Sequence, residues 1–200
     1  MMSVAVITYH STMGRWEPNA RDRLRQAAME LYGERGFEQT TVAEIAERAG
    51  LTERTFFRYF ADKREVLFFG QGALRDGFLS AIAGAPASAG PIDAVGFALD
   101  SAAGVLTDRE FSRDRQAVIA ANPGLQEREL IKLASLAASV AGALRARGIG
   151  EPAASLAAET GLAVFKVAFE RWIADGEQRD LATLLREALD ELRLVAAGTS

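Results

Sequence analysis

Four basic residues, Arg54, Arg58, Lys63 and Arg64, fall within eleven positions of a 200-residue chain whose net charge is −4. A guanidinium offers a fork of N–H donors that matches the two acceptors on the major-groove edge of guanine, and any of these cations can hold a phosphate. Residues 1–67 carry ten basic and ten acidic residues, while the remainder, with 13 and 17, holds the whole negative balance. Contact with nucleic acid must therefore be local, and this cluster marks the place to look. Other chemistries lack their usual groups. There is no cysteine, and the single histidine, His10, sits in an irregular N-terminal stretch. That removes disulfides, thiolate nucleophiles, cysteine metal sites and two-histidine zinc sites, and leaves an enzyme only scattered carboxylates. The expectation is a protein without catalytic residues, metal or cofactor.

The elements that must position the basic cluster read as helices throughout, so the expected fold is all-α. A first helix runs from its cap Asn19 to Arg35, with Leu24, Ala27, Ala28, Leu31 and Tyr32 on one face and Gly36 as its left-handed end. Thr41 and Glu44 form a capping box that opens a short second helix, whose apolar face is Val42, Ile45, Ala46 and Ala49. After the Gly50-Leu51 turn, Thr52 caps a third helix that reaches Phe60. On it Leu51, Phe56 and Phe60 face inward, leaving Glu53, Arg54, Phe57 and Arg58 outward. Arg54 is the candidate for a bidentate contact with guanine, and Arg58 for a base or a phosphate. Asp62 and Glu65 repeat the capping pattern, so a fourth helix is expected from Asp62 to Gly84, closed by the linker GAPASAGP.

Further helices are expected at 92–106, 109–121, 123–147, 152–175 and 181–197. The segments 133–144 and 156–173 are apolar nearly all round, which predicts burial in a bundle or at an interface. The first 13 residues lack the basic flank and apolar length of a secretory signal, and no apolar run reaches the roughly 18 residues of a membrane span. A cytoplasmic protein without membrane partners is expected. Residues before Gly14 are expected to be dispensable for folding, with Met13 a candidate start. The rival readings are a helical protein–protein adaptor and a small helical enzyme.

The run TVAEIAERAGLTERTFFRYFADK, residues 41–63, resembles the helix-turn-helix of the TetR family of bacterial regulators, and the match in order and spacing extends over 19–67. The resemblance implies a flexible arm at 1–18, a three-helix DNA-binding domain at 19–67 and a helical-bundle domain for ligand binding and dimerisation at 68–200. It implies a homodimeric repressor on double-stranded operator DNA, released by a small-molecule effector. Thr41, Thr55, Tyr59 and Lys63 would hold phosphates, and Thr52, Arg54, Phe57 and Arg58 complete the DNA-binding set. Two positions depart from many relatives: Phe57 replaces a tyrosine and Tyr59 a histidine. A phenolic hydrogen bond is lost at 57, leaving a ring that can pack on a thymine methyl or a sugar.

In the second domain the family pairs through its last two helices, which assigns Leu162, Phe165, Phe169, Trp172, Leu185, Leu189 and Leu192 to a dimer interface. The effector would sit among Phe97, Phe111, Arg115, Ile119, Leu136 and Val140, with Arg113 and Arg128 beside Arg115 as anchors for an anion. The stretch from F111-S112-R113-D114-R115 to R145-A146-R147-G148 is similar, more loosely, to regulators with an acyl-CoA-like ligand domain. The fourth helix is the expected coupler between ligand and DNA.

Overall fold

A computed structural model describes residues 19–198, and among them every regular element is helical. The order is α1 (Ala20–Arg35), α2 (Val42–Arg48), α3 (Glu53–Tyr59), α4 (Gln71–Gly84), α5 (Pro91–Val105), α6 (Arg109–Ala120), α7 (Pro123–Ala146), α8 (Ala153–Ile173) and α9 (Leu181–Ala197). The proposed arm and the Met13 start lie outside the described residues. The Asn19 side chain accepts the Asp22 N–H, and the face of α1 named above is buried as expected. Gly36, at φ 85°, closes α1 and lets Phe37 fold back, edge-on to Tyr32 at 5.3 Å.

The fourth helix begins nine residues later than the capping pattern predicts, at Gln71 rather than Asp62. Asp62 does accept the N–H groups of Arg64 and Glu65, but the chain continues as turns to Gly70, at φ 98°. Val66, Leu67 and Phe68 are all buried in one core, and three consecutive residues on a regular helix would fan over about 200° of arc. Turns satisfy that demand where a helix cannot.

Two cores organise the chain. The first joins α1, α2 and α3 with residues 66–68, and it takes in Ile119 and Leu125 from the α6–α7 corner. The N-terminal head is thus built from more than residues 19–67. The second core is the bundle of α4, α5, α7, α8 and α9. Its helices approach closely because small residues line them: Ala94, Ala98 and Ala102 on α5, and Ala154, Ala157, Ala158 and Gly161 on α8. A Cβ at Gly161 would lie 2.3 Å from a methyl of Val95, so glycine sets the α5–α8 spacing.

Leu162, Phe165, Trp172, Leu185 and Leu189 are buried inside this bundle of a single chain, with Phe169 and Leu192 packed against it. Within the chain they pack on the bundle, as in the edge contact of Phe78 with Phe165, while Phe169 and Leu192 stay partly open. An apolar stripe specifies burial but not which neighbour provides it. The apolar residues that α8 and α9 leave exposed are others, among them Leu156, Val167 and Val195.

Candidate DNA-reading surface

The surface is built by α2, a tight turn and α3. Both halves of the capping box form: Thr41 Oγ accepts the Glu44 N–H, and the Glu44 carboxylate accepts the N–H and hydroxyl of Thr41. Those bonds hold the Glu44 carboxyl below its usual range. Gly50, at φ 64°, turns the chain, and the Leu51 N–H returns to the Ala46 carbonyl. Arg23 of α1 secures the same turn by donating to the carbonyls of Ala49 and Gly50. No local pattern could have shown this role, since the partner lies 26 residues away. Thr52 caps α3, accepting the Thr55 N–H at 3.2 Å while their hydroxyls meet at 3.1 Å.

Phe56 and Phe60 anchor α3 in the head core, and Glu53, Arg54, Phe57, Arg58 and Tyr59 face solvent. None of the described residues bonds to the Arg54 side chain. Arg58 lies over the Tyr59 ring at 4.8 Å and donates to its hydroxyl at 3.0 Å, so the two form one ordered cationic unit. Phe57 is 55% exposed, and its ring meets Phe56 edge-on at 5.5 Å. Nearby cations are already neutralised: Arg48 binds Glu34 through two bonds of 2.9 Å, Arg35 pairs with Glu44, and Arg64 with Asp62. The Arg48 bonds also lower the Glu34 carboxyl. On α3 neither Arg54 nor Arg58 pairs with a carboxylate of the described residues.

Lys63 is placed differently from expectation. Its ammonium donates to the carbonyls of Phe37 (2.8 Å), Glu38 (3.1 Å) and Thr40 (2.9 Å) and lies 4.5 Å over the Phe37 ring. An ammonium has three N–H donors, and all three are engaged, so none remains for a phosphate. Lys63 instead ties residues 37–40, which lead into Thr41, to the segment after α3. The Tyr32 hydroxyl donates to the Lys63 carbonyl at 2.7 Å, and burial, with Asp62 nearby, pushes that phenol well above its usual range.

The residues expected to enclose an effector are not brought together. Phe97 is exposed in a groove of about 350 Å³ between α5 and α9, framed by the ion pairs Asp93–Arg193 and Asp100–Arg186. Phe111 lies under the Arg25 guanidinium at 4.4 Å, in a cleft of about 650 Å³ between α1 and α6. Ile119 belongs to the head core, and Leu136 and Val140 to the bundle core. Arg115 sits at the junction of the two, donating to the Leu67 carbonyl at 2.6 Å and pairing with Glu129 at 3.0 Å. Burial pulls its pKa down against the opposing Glu129. The other two anchors are also committed, Arg113 to the Ile173 carbonyl and Arg128 to Glu65. Helical periodicity identified apolar faces correctly but not which helices those faces would meet.

Residues 24–68 match the family model of bacterial regulatory proteins, tetR family, and residues 90–197 match that of the MftR C-terminal domain. The chain belongs to the TetR family. It is a TetR-family transcriptional regulator, and α2 and α3 lie within the residues that match the N-terminal family model. Among curated proteins it is similar to the HTH-type transcriptional regulator TcmR of Streptomyces glaucescens, 40% identical over 91 residues, which are 46% of this chain and 40% of TcmR. The match thus spans less than half of that relative. Among solved structures it resembles FadR of Thermus thermophilus, a repressor in complex with lauroyl-CoA, at 26% identity and TM-score 0.55, covering 90% of this chain and 95% of that one. FadR of Bacillus subtilis, in complex with stearoyl-CoA, shares the fold at 20% identity and TM-score 0.61, covering 86% and 96%. Among the described residues no helix is long and apolar enough to cross a membrane.

Proposed function

We propose that this regulator is a cytoplasmic repressor without catalytic activity, which binds an inverted-repeat operator as a homodimer and releases it when a small apolar effector binds. The observation that carries the DNA-binding part is the outer face of α3, where Arg54 stands unengaged beside the ordered Arg58–Tyr59 pair. Thr52 and Thr55 open α3, and one hydroxyl of their pair is left to donate to a phosphate, while Thr41 would do so by releasing Glu44. For the dimer, Leu156 and Val167 are 11 residues apart on α8 and so share one face, and both are exposed. They join the partly open Phe169 and Leu192 as the proposed contact.

The effector reading, an acyl-CoA-like molecule, is supported by the lauroyl-CoA complex of the Thermus thermophilus relative. Leu136 and Val140 are packed in the bundle core here, so such a ligand would favour a more open arrangement, which gives it the unequal affinity for two states that release requires. We assign the coupling to α6 rather than α4. At its N-terminal end Arg109 donates to the carbonyls of Glu177 and Arg179 and Arg113 to that of Ile173, around the α8–α9 turn. At its other end Ile119 lies in the head core.

Selection of bound sequences from random DNA tests the reading. The expected result is an inverted repeat with half-site centres about one helical turn, roughly 34 Å, or a multiple of it apart. Affinity should fall steeply with salt. Arg54→Ala should weaken binding by about 1–3 kcal/mol and relax one base position. A consensus without two-fold symmetry, or no enrichment, would refute it. For the effector, calorimetric titration with an acyl-CoA series should give weaker binding in the presence of operator, since the coupling is reciprocal.

A further inference from the structure

Phe57 is an expensive residue to leave on a recognition helix. It is 55% exposed, it stands between two arginines at i−3 and i+1, and it has neither a donor nor an acceptor to offer a phosphate. Its edge contact with buried Phe56 orients the ring without covering it. Building on the reading that α3 enters the major groove, we propose that Phe57 reads the 5-methyl group of a thymine. The base edges of that groove present mostly donors and acceptors, and the thymine methyl is the apolar group that marks a T·A pair.

The register of this contact follows from the helix. Residues three apart on a helix are neighbours, with Cβ atoms about 5–6 Å apart, and successive base pairs are about 3.4 Å apart. Arg54 and Phe57 therefore reach base pairs one or two steps apart, and each half-site should hold a guanine and a thymine at that separation, on either strand. Arg58 is docked on Tyr59 and so does not cover the Phe57 ring, which is left as the apolar group of the face.

The test replaces thymine by deoxyuridine, which removes the methyl and nothing else. In the selected operator, each thymine of both half-sites is replaced in turn, and binding is measured for wild type, Phe57→Ala and Phe57→Leu. Removing one methyl contact should weaken wild type about fourfold per half-site, or about fifteenfold for the symmetric pair, the worth of one buried methyl-sized group. One thymine position should show this loss, and it should lie one or two steps from the guanine whose preference Arg54→Ala relaxes. Phe57→Ala should bind the thymine and deoxyuridine operators equally, while Phe57→Leu keeps part of the discrimination. Should Phe57→Ala bind too weakly to measure, Phe57→Leu and wild type decide. The proposal is overturned if no thymine methyl matters to wild type, or if the deoxyuridine penalty is as large without the phenyl ring. Failure of the helix-turn-helix reading looks different, since wild type would then select no operator at all.

Discussion

Replacing Lys63 by alanine separates two roles that would both weaken DNA binding. Its ammonium holds three carbonyls, two of them part-buried, and lies over the Phe37 ring. Charge-assisted hydrogen bonds contribute about 1.5–3 kcal/mol each where water cannot replace the partner, and the exposed Glu38 carbonyl can rehydrate. The remaining two bonds, reduced by partial solvent access, and the ring contact together give a loss of about 2–3 kcal/mol. For a chain of this length that lowers the melting temperature by about 5–10 °C. Scanning calorimetry measures it directly. The same variant should bind operator more weakly, because residues 37–40 position Thr41, yet its dependence on salt should match wild type. A phosphate ligand behaves otherwise: its removal lowers the slope of log K against log salt by about 0.9 per half-site. An unchanged melting temperature together with a shallower slope would refute the clip and restore Lys63 to the phosphates.

Gly161→Ala should destabilise the bundle by about 1–3 kcal/mol through the clash with Val95. Val95→Ala should return much of that loss in the double mutant, as read from urea midpoints. Val167→Glu, on the exposed face of α8, should leave the fold intact by circular dichroism and shift sedimentation from dimer to monomer, with loss of cooperative binding to the inverted repeat. The Glu177 carboxyl, bonded by the Arg179 guanidinium and N–H, is pulled down to about 2. A lowered carboxyl contributes stability that is present above its unfolded value near pH 4.5 and is lost as pH falls toward 2. Wild type should therefore exceed Glu177→Gln in melting temperature at pH 6, and the gap should close between about pH 4.5 and 2.

Local interactions make the DNA-reading half legible in the amino-acid sequence. Caps and their bonds span three or four residues, so Asn19, the Thr41–Glu44 box, Gly36, Gly50 and Thr52 announce helix ends in the chain itself. The apolar spacing of α1 and α3 likewise states which side is buried, and the family pattern of residues 41–63 rests on the same local signals. The fourth helix shows the limit of such signals. The Asp62 cap forms, yet burial of Val66, Leu67 and Phe68 in one core overrides it. What only the tertiary structure decided are contacts across long sequence distances: Lys63 with residues 37–40, Arg23 with the α2–α3 turn, Ile119 in the head, and Leu162 and Leu189 in a single-chain bundle. A periodic stripe says that water is excluded from one face. Which surface excludes it depends on how helices pack through residues such as Gly161 and Val95, and that is a property of the assembled chain.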